Sequence, residues 1–300
     1  MSNVAVVPQD GALEPIFGLR IYSELPFVTS RDGRGIVTVV TDQDIPTNDI
    51  LIAEDPSQAT GYRILTNGGN DSVLFVQGVP GRQGKANIRT GEGNDSVITG
   101  ANDDSIWGDD GNDRLFGSDG EDILYGGEDD DWLRGGEGAD LLFGGSDRDR
   151  LAGGNGDDFL IGGEGPDILI GGRGDDVLVA DQGRDRLIGG VGHDQFRLRS
   201  HATDGLDKVL DFNPDEDVIE ISRSLLPGSG LSNGHLSRSD FQVVHKISKS
   251  VEAKIEAKIV YESSTGLIYY NPGHQGTTPI PLFQVNKNLP IAADAFQIIS

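Results

Sequence analysis

The chain has 300 residues, a formal net charge of −25, 44 glycines and no cysteine. The charge argues against a nucleic-acid partner or an anionic membrane, and the missing cysteine excludes disulfides and thiolate metal sites. Glycine at about twice its usual share, with few aromatics, points to a thin core instead of one thick one.

The N-terminal segment, Met1–Gly18, has no basic region followed by an apolar run, so it does not read as a Sec-type signal peptide. No stretch approaches the roughly 18 consecutive apolar residues of a membrane span. Gly35–Val40 and Asp49–Ala53 read as strands between turn residues. Residues 1–65 match no motif; they read as an N-terminal β cap of irregular coils or as a small module of unknown role. Residues 66–89 carry a degenerate repeat, Gly68-Gly69-Asn70-Asp71-Ser72-Val73, and an insert, Val79 to Lys85, expected to bulge from one turn. The degenerate copy is out of phase with the regular repeats, because Asp71 precedes Asp95 by 24 residues.

From 90 to 197 a nine-residue frame recurs without a miss: Gly-Gly-x-Gly-x-Asp-x-apolar-x, as in Gly153 to Ile161. Its aspartates are Asp95, Asp104, Asp113, Asp122, Asp131, Asp140, Asp149, Asp158, Asp167, Asp176, Asp185 and Asp194. A strict short period of this kind predicts a solenoid. The first six positions predict a turn and the last three a strand. Gly supplies the positive φ of a tight turn and Asn or Asp tolerates it next best, which accounts for Asn102, Asp129 and Asp147 at the fourth position. Side chains alternate across a strand, so the eighth positions, from Val97 and Ile106 to Leu187 and Phe196, share one interior face.

Two repeats make one coil of eighteen residues, and coils stack at about 4.8 Å. Every second aspartate then falls in one column: Asp95, Asp113, Asp131, Asp149, Asp167 and Asp185 in the first, the other six in the second. Carboxylates stacked at that spacing repel unless a cation lies between them. The available ligands are carboxylates and the carbonyls of bent turns, a hard-oxygen set that suits Ca²⁺ better than Mg²⁺ or Zn²⁺. Two columns of six turns leave five gaps each, hence up to ten ions. The twelve aspartates are the candidate metal ligands. Turn capping without a metal is the competing reading of the same residues.

Residues 198–300 read as β-hairpins, with apolar strands in Asp207–Phe212, Asp217–Ile221, Ile259–Tyr270 and the terminal Ala292–Ser300. Asp207 and Asp211 are candidates for completing the last site. Gly230-Leu231-Ser232-Asn233-Gly234 fits a nucleophile elbow in letters, but no βαβ pattern surrounds it. There is no His-Glu-x-x-His, and His193, His201, His235, His245 and His274 are scattered. No catalysis is expected. Outward strand positions at Trp107, Ile123, Tyr125, Leu141, Phe143, Phe159, Ile161, Val177 and Val179 form an apolar face, expected to be covered by a flank or by self-association or a surface partner.

The repeat block resembles the repeats-in-toxin (RTX), hemolysin-type calcium-binding proteins, and residues 204–300 resemble the C-terminal portion that follows such rolls in type I secreted bacterial proteins. The resemblance implies an all-β fold: a parallel β-roll, the RTX nonapeptide solenoid, with irregular N-terminal coils and a C-terminal β cap. It implies a secreted, extracellular or cell-surface protein that folds on calcium after export by type I secretion machinery, with an uncleaved export signal in 198–300. The alternative is an accessory module of an extracellular enzyme or adhesin acting through the N-terminal segment.

Overall fold

A computed structural model describes residues 20–21, 28–31, 36–40, 49–53, 61–66, 68–76, 84–199, 206–247, 255, 257–272 and 278–300. Most of the insert, Val79 to Gln83, together with His201 and His274, lies outside the described residues. The fold is an all-β parallel β-roll. It divides into two compact units, Met1–Asn155 and Gly156–Ser300, so the division falls inside the repeats.

In the first unit one sheet pairs Asp49–Ala53, Ser72–Val76, Ser96–Ile98, Arg114–Asp119, Trp132–Glu137 and Arg150–Asn155 in parallel. The other pairs Ile36–Val40, Gly61–Leu65, Lys85–Glu92, Ser105–Asp110, Ile123–Glu128 and Leu141–Ser146. Both expected N-terminal strands are present. Each sheet opens on an antiparallel pair, Arg20–Ile21 with Asp49–Ala53 and Val28–Arg31 with Ile36–Val40. The coils shorten toward the repeats: Ile36 faces Gly61 and Gly61 faces Lys85, whereas Asn87 faces Ser105. Asp71 comes into phase by this means, since a longer coil absorbs the extra residues between it and Asp95.

The strands are longer than the sequence frame suggests. Arg114–Asp119 runs through positions seven to nine and on through the first three of the next repeat, with Ser118 still paired to Gly136. The turn proper is only positions four to six. The second position keeps its pairing with a positive φ, 134° at Gly136 and 86° at Ser118, a conformation that glycine adopts without strain. The fourth-position residues have the expected left-handed backbone, at φ 95° for Asn102, 74° for Asp129 and 73° for Asp147.

In the second unit, Ile168–Arg173 and Arg186–Val191 pair in parallel and continue into Asp207–Val209. Phe159–Glu164, Val177–Ala180, Gln195–Leu198 and Val218–Ser222 form the other run, onto which the chain end, Phe296–Ile299, adds in parallel. The hairpin Ile259–Glu262 with Leu267–Tyr270 joins the first run through Ile280–Gln284. The core here is thicker, with Tyr261, Tyr270, Phe283 and Phe296 essentially buried. All twelve eighth-position side chains of the repeats are fully buried.

Among the described residues the apolar outer face is half open. Of its nine residues only Val179 is buried, and Leu141 is 38% exposed. In the first unit Trp107, Tyr125 and Phe143 stack on one another, at 5.7 Å and 4.7 Å between ring centroids, so they bury much of one another's surface without a flank.

Candidate metal centre

Each repeat aspartate is aimed inward by its place at the end of the turn, and all twelve are at most 3% exposed. The two carboxylate oxygens of each do different things. Oδ1 accepts a backbone N–H from the coil before, that of Ala86 at Asp104 and that of the preceding aspartate in the turns that follow: Asp95 donates to Asp113 at 2.7 Å, Asp113 to Asp131 at 2.8 Å and Asp131 to Asp149 at 2.9 Å. In the other column Asp104 donates to Asp122 at 2.7 Å and Asp122 to Asp140 at 2.8 Å. The second unit repeats the pattern from Asp158 to Asp176, Asp176 to Asp194 and Asp167 to Asp185. Capping and stacking are therefore both present in one side chain.

Oδ2 is the atom left over. In Asp113, Asp122, Asp131, Asp176 and Asp185 it is buried and has no hydrogen-bond partner. It folds back beneath the first glycine of its own turn. A Cβ on Gly108 would stand 2.0 Å from Asp113 Oδ2 and 2.8 Å from the carbonyl oxygen of Gly126 in the next coil. A Cβ on Gly171 would likewise stand 2.2 Å from Asp176 Oδ2 and 2.6 Å from the Gly189 carbonyl oxygen. Two acceptors thus converge with no donor between them, and leaving a buried acceptor in that state costs about 1–3 kcal/mol, more for a charged one.

Burial pushes the carboxyls well above the ordinary range: Asp113, Asp149 and Asp176 to about 7, Asp122 and Asp131 to about 8, and Asp95, Asp140, Asp185 and Asp194 to about 6. The backbone N–H on Oδ1 pulls each one back, and neighbouring aspartates add to the rise at Asp122 and Asp131. A buried carboxylate held this way takes up either a proton or a cation.

The columns also extend past the regular repeats. Asp95 Oδ1 accepts from Asp71, Asp185 donates to Asp207 at 3.0 Å, and Asp194 donates to Asp217 at 3.1 Å. The signal was there in the frame: Asp71-Ser72-Val73, Asp207-Lys208-Val209 and Asp217-Val218-Ile219 all keep the apolar residue two after the aspartate. What hid Asp217 was the spacing. Asp211 leaves the column and accepts from Gly189 and Gly190, at 3.0 and 2.9 Å. Ser232 is exposed on an irregular segment with no helix behind it, which removes the elbow reading. His193 and His235 each place Nδ1 beside a backbone carbonyl oxygen, of Glu216 and Asp294.

Among the described residues no three acidic or imidazole side chains gather at one point. That is what a site built from one or two carboxylates and backbone carbonyls looks like. Orphaned hard oxygens beside a cradle that a single methyl would fill fit a calcium-sized cation. The family model of the RTX calcium-binding nonapeptide repeat, in four copies, matches residues 89–124, 125–160 and 161–196. Residues 89–196, 108 of the 300, are thus RTX calcium-binding nonapeptide repeats. Comparison with curated proteins gives no match. Among solved structures, the solution structure of the AlgE6R3 subunit from the Azotobacter vinelandii mannuronan C5-epimerase is similar, at 18% identity over 74% of this chain and 83% of that one, with a TM-score of 0.22. With so low a score, the fold assignment rests on the strand pairing alone. No helix among the described residues is long and apolar enough to cross a membrane.

Proposed function

We propose that this is a secreted calcium-binding RTX protein that folds on Ca²⁺ after export and serves a structural, extracellular or cell-surface role without catalysis of its own. The observation that carries the reading is the set of buried Oδ2 atoms facing carbonyl oxygens with no donor. The twelve repeat aspartates, Asp95 to Asp194, hold the ions together with first-position carbonyls such as those of Gly126 and Gly189. Bound calcium supplies positive charge where only acceptors meet; the chain supplies the cradle, the spacing and the exclusion of water. On this reading the chain divides into a 1–65 cap, a 66–89 lead-in, the 90–197 roll and a 198–300 cap with the export signal.

A metal-free chain rich in acid and thin in core stays unfolded where calcium is scarce, and an unfolded chain can be threaded through a type I channel. Calcium titration followed by circular dichroism tests the folding half. A cooperative gain of β-structure is expected at about 10⁻⁴–10⁻³ M, the range of extracellular modules. Full β-structure in metal-free, low-salt buffer at neutral pH would sink it. For export, removing the chain from Ile280 onward should leave the protein in the cell. Phe296→Ala disturbs the same buried packing but keeps the tail, and should still be exported. Normal secretion of the truncation contradicts the type I route.

A further inference from the structure

Three turns depart from the glycine cradle in the same way. The first position is Thr66 in the turn ending at Asp71, Thr90 in the turn ending at Asp95 and Thr99 in the turn ending at Asp104. All three threonines are buried, at 0%, 0% and 2% exposure. Their hydroxyls donate along the columns. Thr66 Oγ1 reaches the Thr90 carbonyl oxygen at 2.9 Å, Thr90 Oγ1 the Gly108 carbonyl oxygen at 3.1 Å, and Thr99 Oγ1 the Gly117 carbonyl oxygen at 2.6 Å. Those acceptors are the first-position carbonyls of the following coil, the same atom type that faces an idle Oδ2 at Gly126 and Gly189. The threonine side chain occupies the space that glycine leaves open, and it brings the donor that the glycine turns lack.

The strand Lys85–Glu92, which leads into the first regular turn, supplies two cations, one to the Thr99 turn and one to the Gly108 turn. Lys85 Nζ pairs with Asp103 and Arg89 Nε with Asp109, each at 2.5 Å. At the fifth position the earliest turns carry neutral Asn70 and Asn94, whose Oδ1 atoms accept from Asn94 N and Asn112 N, where later turns use Asp130, Asp157 and Asp175. Ala180 is the one other departure at the first position within the repeats; it offers a methyl but no donor for the carbonyl, so what sets the threonine turns apart is the hydroxyl on the next coil's carbonyl, since Asp95 Oδ2 and Asp185 Oδ2 alike make no hydrogen bond.

Resting on the calcium reading, we infer that Thr66, Thr90 and Thr99 plug the opening turns, so that these hold without an ion and calcium enters only from the glycine turns onward. Thr90 and Thr99 close the first gap of each column, two of the ten that the register allows, and so withdraw Asp95 and Asp104 from the twelve proposed ligands. The opening coils then form a metal-independent seed onto which the calcium-loaded coils add, each new coil finding its carbonyl and amide partners in place.

Equilibrium dialysis of the full chain against radioactive calcium tests this by counting ions. The double variant Thr90→Gly, Thr99→Gly should bind two more ions per chain than the parent, whereas Thr90→Ser, Thr99→Ser, which keeps both hydroxyls, should bind the same number. An unchanged count in the folded glycine variant, or a gain in the serine variant, overturns the inference. If the glycine variant does not fold, hydrogen exchange on the parent decides. Calcium should add less protection to Lys85–Glu92 than to Trp132–Glu137, and equal gains overturn the inference. A parent chain that binds no calcium at all defeats the calcium reading itself and is a separate outcome.

Discussion

The glycine turns of the repeats and the segment after the last repeat bury the same side chain with opposite results. Asp122 and Asp131 each keep one oxygen on a backbone N–H and leave the other with no partner. Asp217 also sits buried at the end of a column, but its Oδ1 accepts from Asp194 and its Oδ2 from Asn213 at 2.8 Å. Asp211 likewise spends both oxygens on the glycine amides that open a turn. An acid that caps two amides is satisfied by protein alone, whereas an acid that caps one needs something else. The cores differ in the same sense. A repeat buries one aliphatic side chain in nine residues, while the C-terminal region encloses Tyr261, Tyr270, Phe283 and Phe296, aromatics that bury about 150–250 Å² each.

The largest effect expected from this contrast is loss of the repeats alone when calcium is withdrawn. In metal-free buffer at pH 7.5, amides of Ile123–Glu128 and Trp132–Glu137 should exchange at close to unfolded rates, while those of Ile259–Glu262 and Leu267–Tyr270 stay protected. Uniform protection across both regions would show that the idle oxygens cost little.

Protons should partly replace the ions. The repeat carboxyls rise from an ordinary 3.8 to between about 6 and about 8 in the folded, metal-free state. A raised acid pKa means the folded state binds more protons than the unfolded one. Its stability is therefore fully present below the ordinary 3.8 and is lost as the pH climbs from there through about 6 to about 8. In metal-free buffer the repeats should show more β-structure by circular dichroism at pH 5 than at pH 8. With calcium the sign reverses, because the ion needs the carboxylate, so affinity falls on acidification. Metal-free β-structure that grows as the pH rises would mean the carboxylates already have partners.

Register should matter more than acidity. Asp131→Ala removes the acceptor for Asp113 N–H and an idle Oδ2 together, whereas Glu137 sits exposed at a third position, where its Oε1 accepts only an exposed bond from Asn155 Nδ2 at 2.7 Å. The first change should raise the calcium midpoint several-fold and lower the ion count; the second should move neither beyond the scatter of a surface substitution. Equal shifts would make bulk charge the governing quantity.

The sequence made the roll, its eighteen-residue coil, the interior row and the two columns legible, because each follows from a strict period and the alternation of strand side chains. It also marked Asn102, Asp129 and Asp147 as left-handed. It did not reveal that aspartates such as Asp113, Asp122, Asp131 and Asp176 give one oxygen to an amide and leave the other without a hydrogen bond, since that depends on how far the backbone of one coil lies from the next. Nor did it show that positions one to three remain strand, because glycine reads as turn in a sequence whether its freedom or its smallness is being used. Asp217 escaped notice for a related reason: a coil of 23 residues, seen where Gln195 faces Val218, breaks the nine-residue count without breaking the column.

That double use of glycine leads to the smallest and most local test. Gly117 has no left-handed backbone to protect, yet a Cβ there would stand 2.2 Å from Asp122 Oδ2. Gly228, in the C-terminal region, has φ +73° and nothing within 4 Å of the added carbon. One glycine is needed for room and the other for conformation. Gly228→Ala should cost about 1 kcal/mol from backbone strain and leave calcium binding untouched. Gly117→Ala should cost more, about 1–3 kcal/mol by analogy with overpacked interiors, and should also weaken calcium, because the methyl takes the space beside the idle oxygen. Differential scanning calorimetry with calcium, paired with a calcium titration of each variant, separates the two effects. If Gly117→Ala shifts only the melting temperature and leaves the calcium midpoint unchanged, the space beneath the first glycine is packing room and not an ion's place.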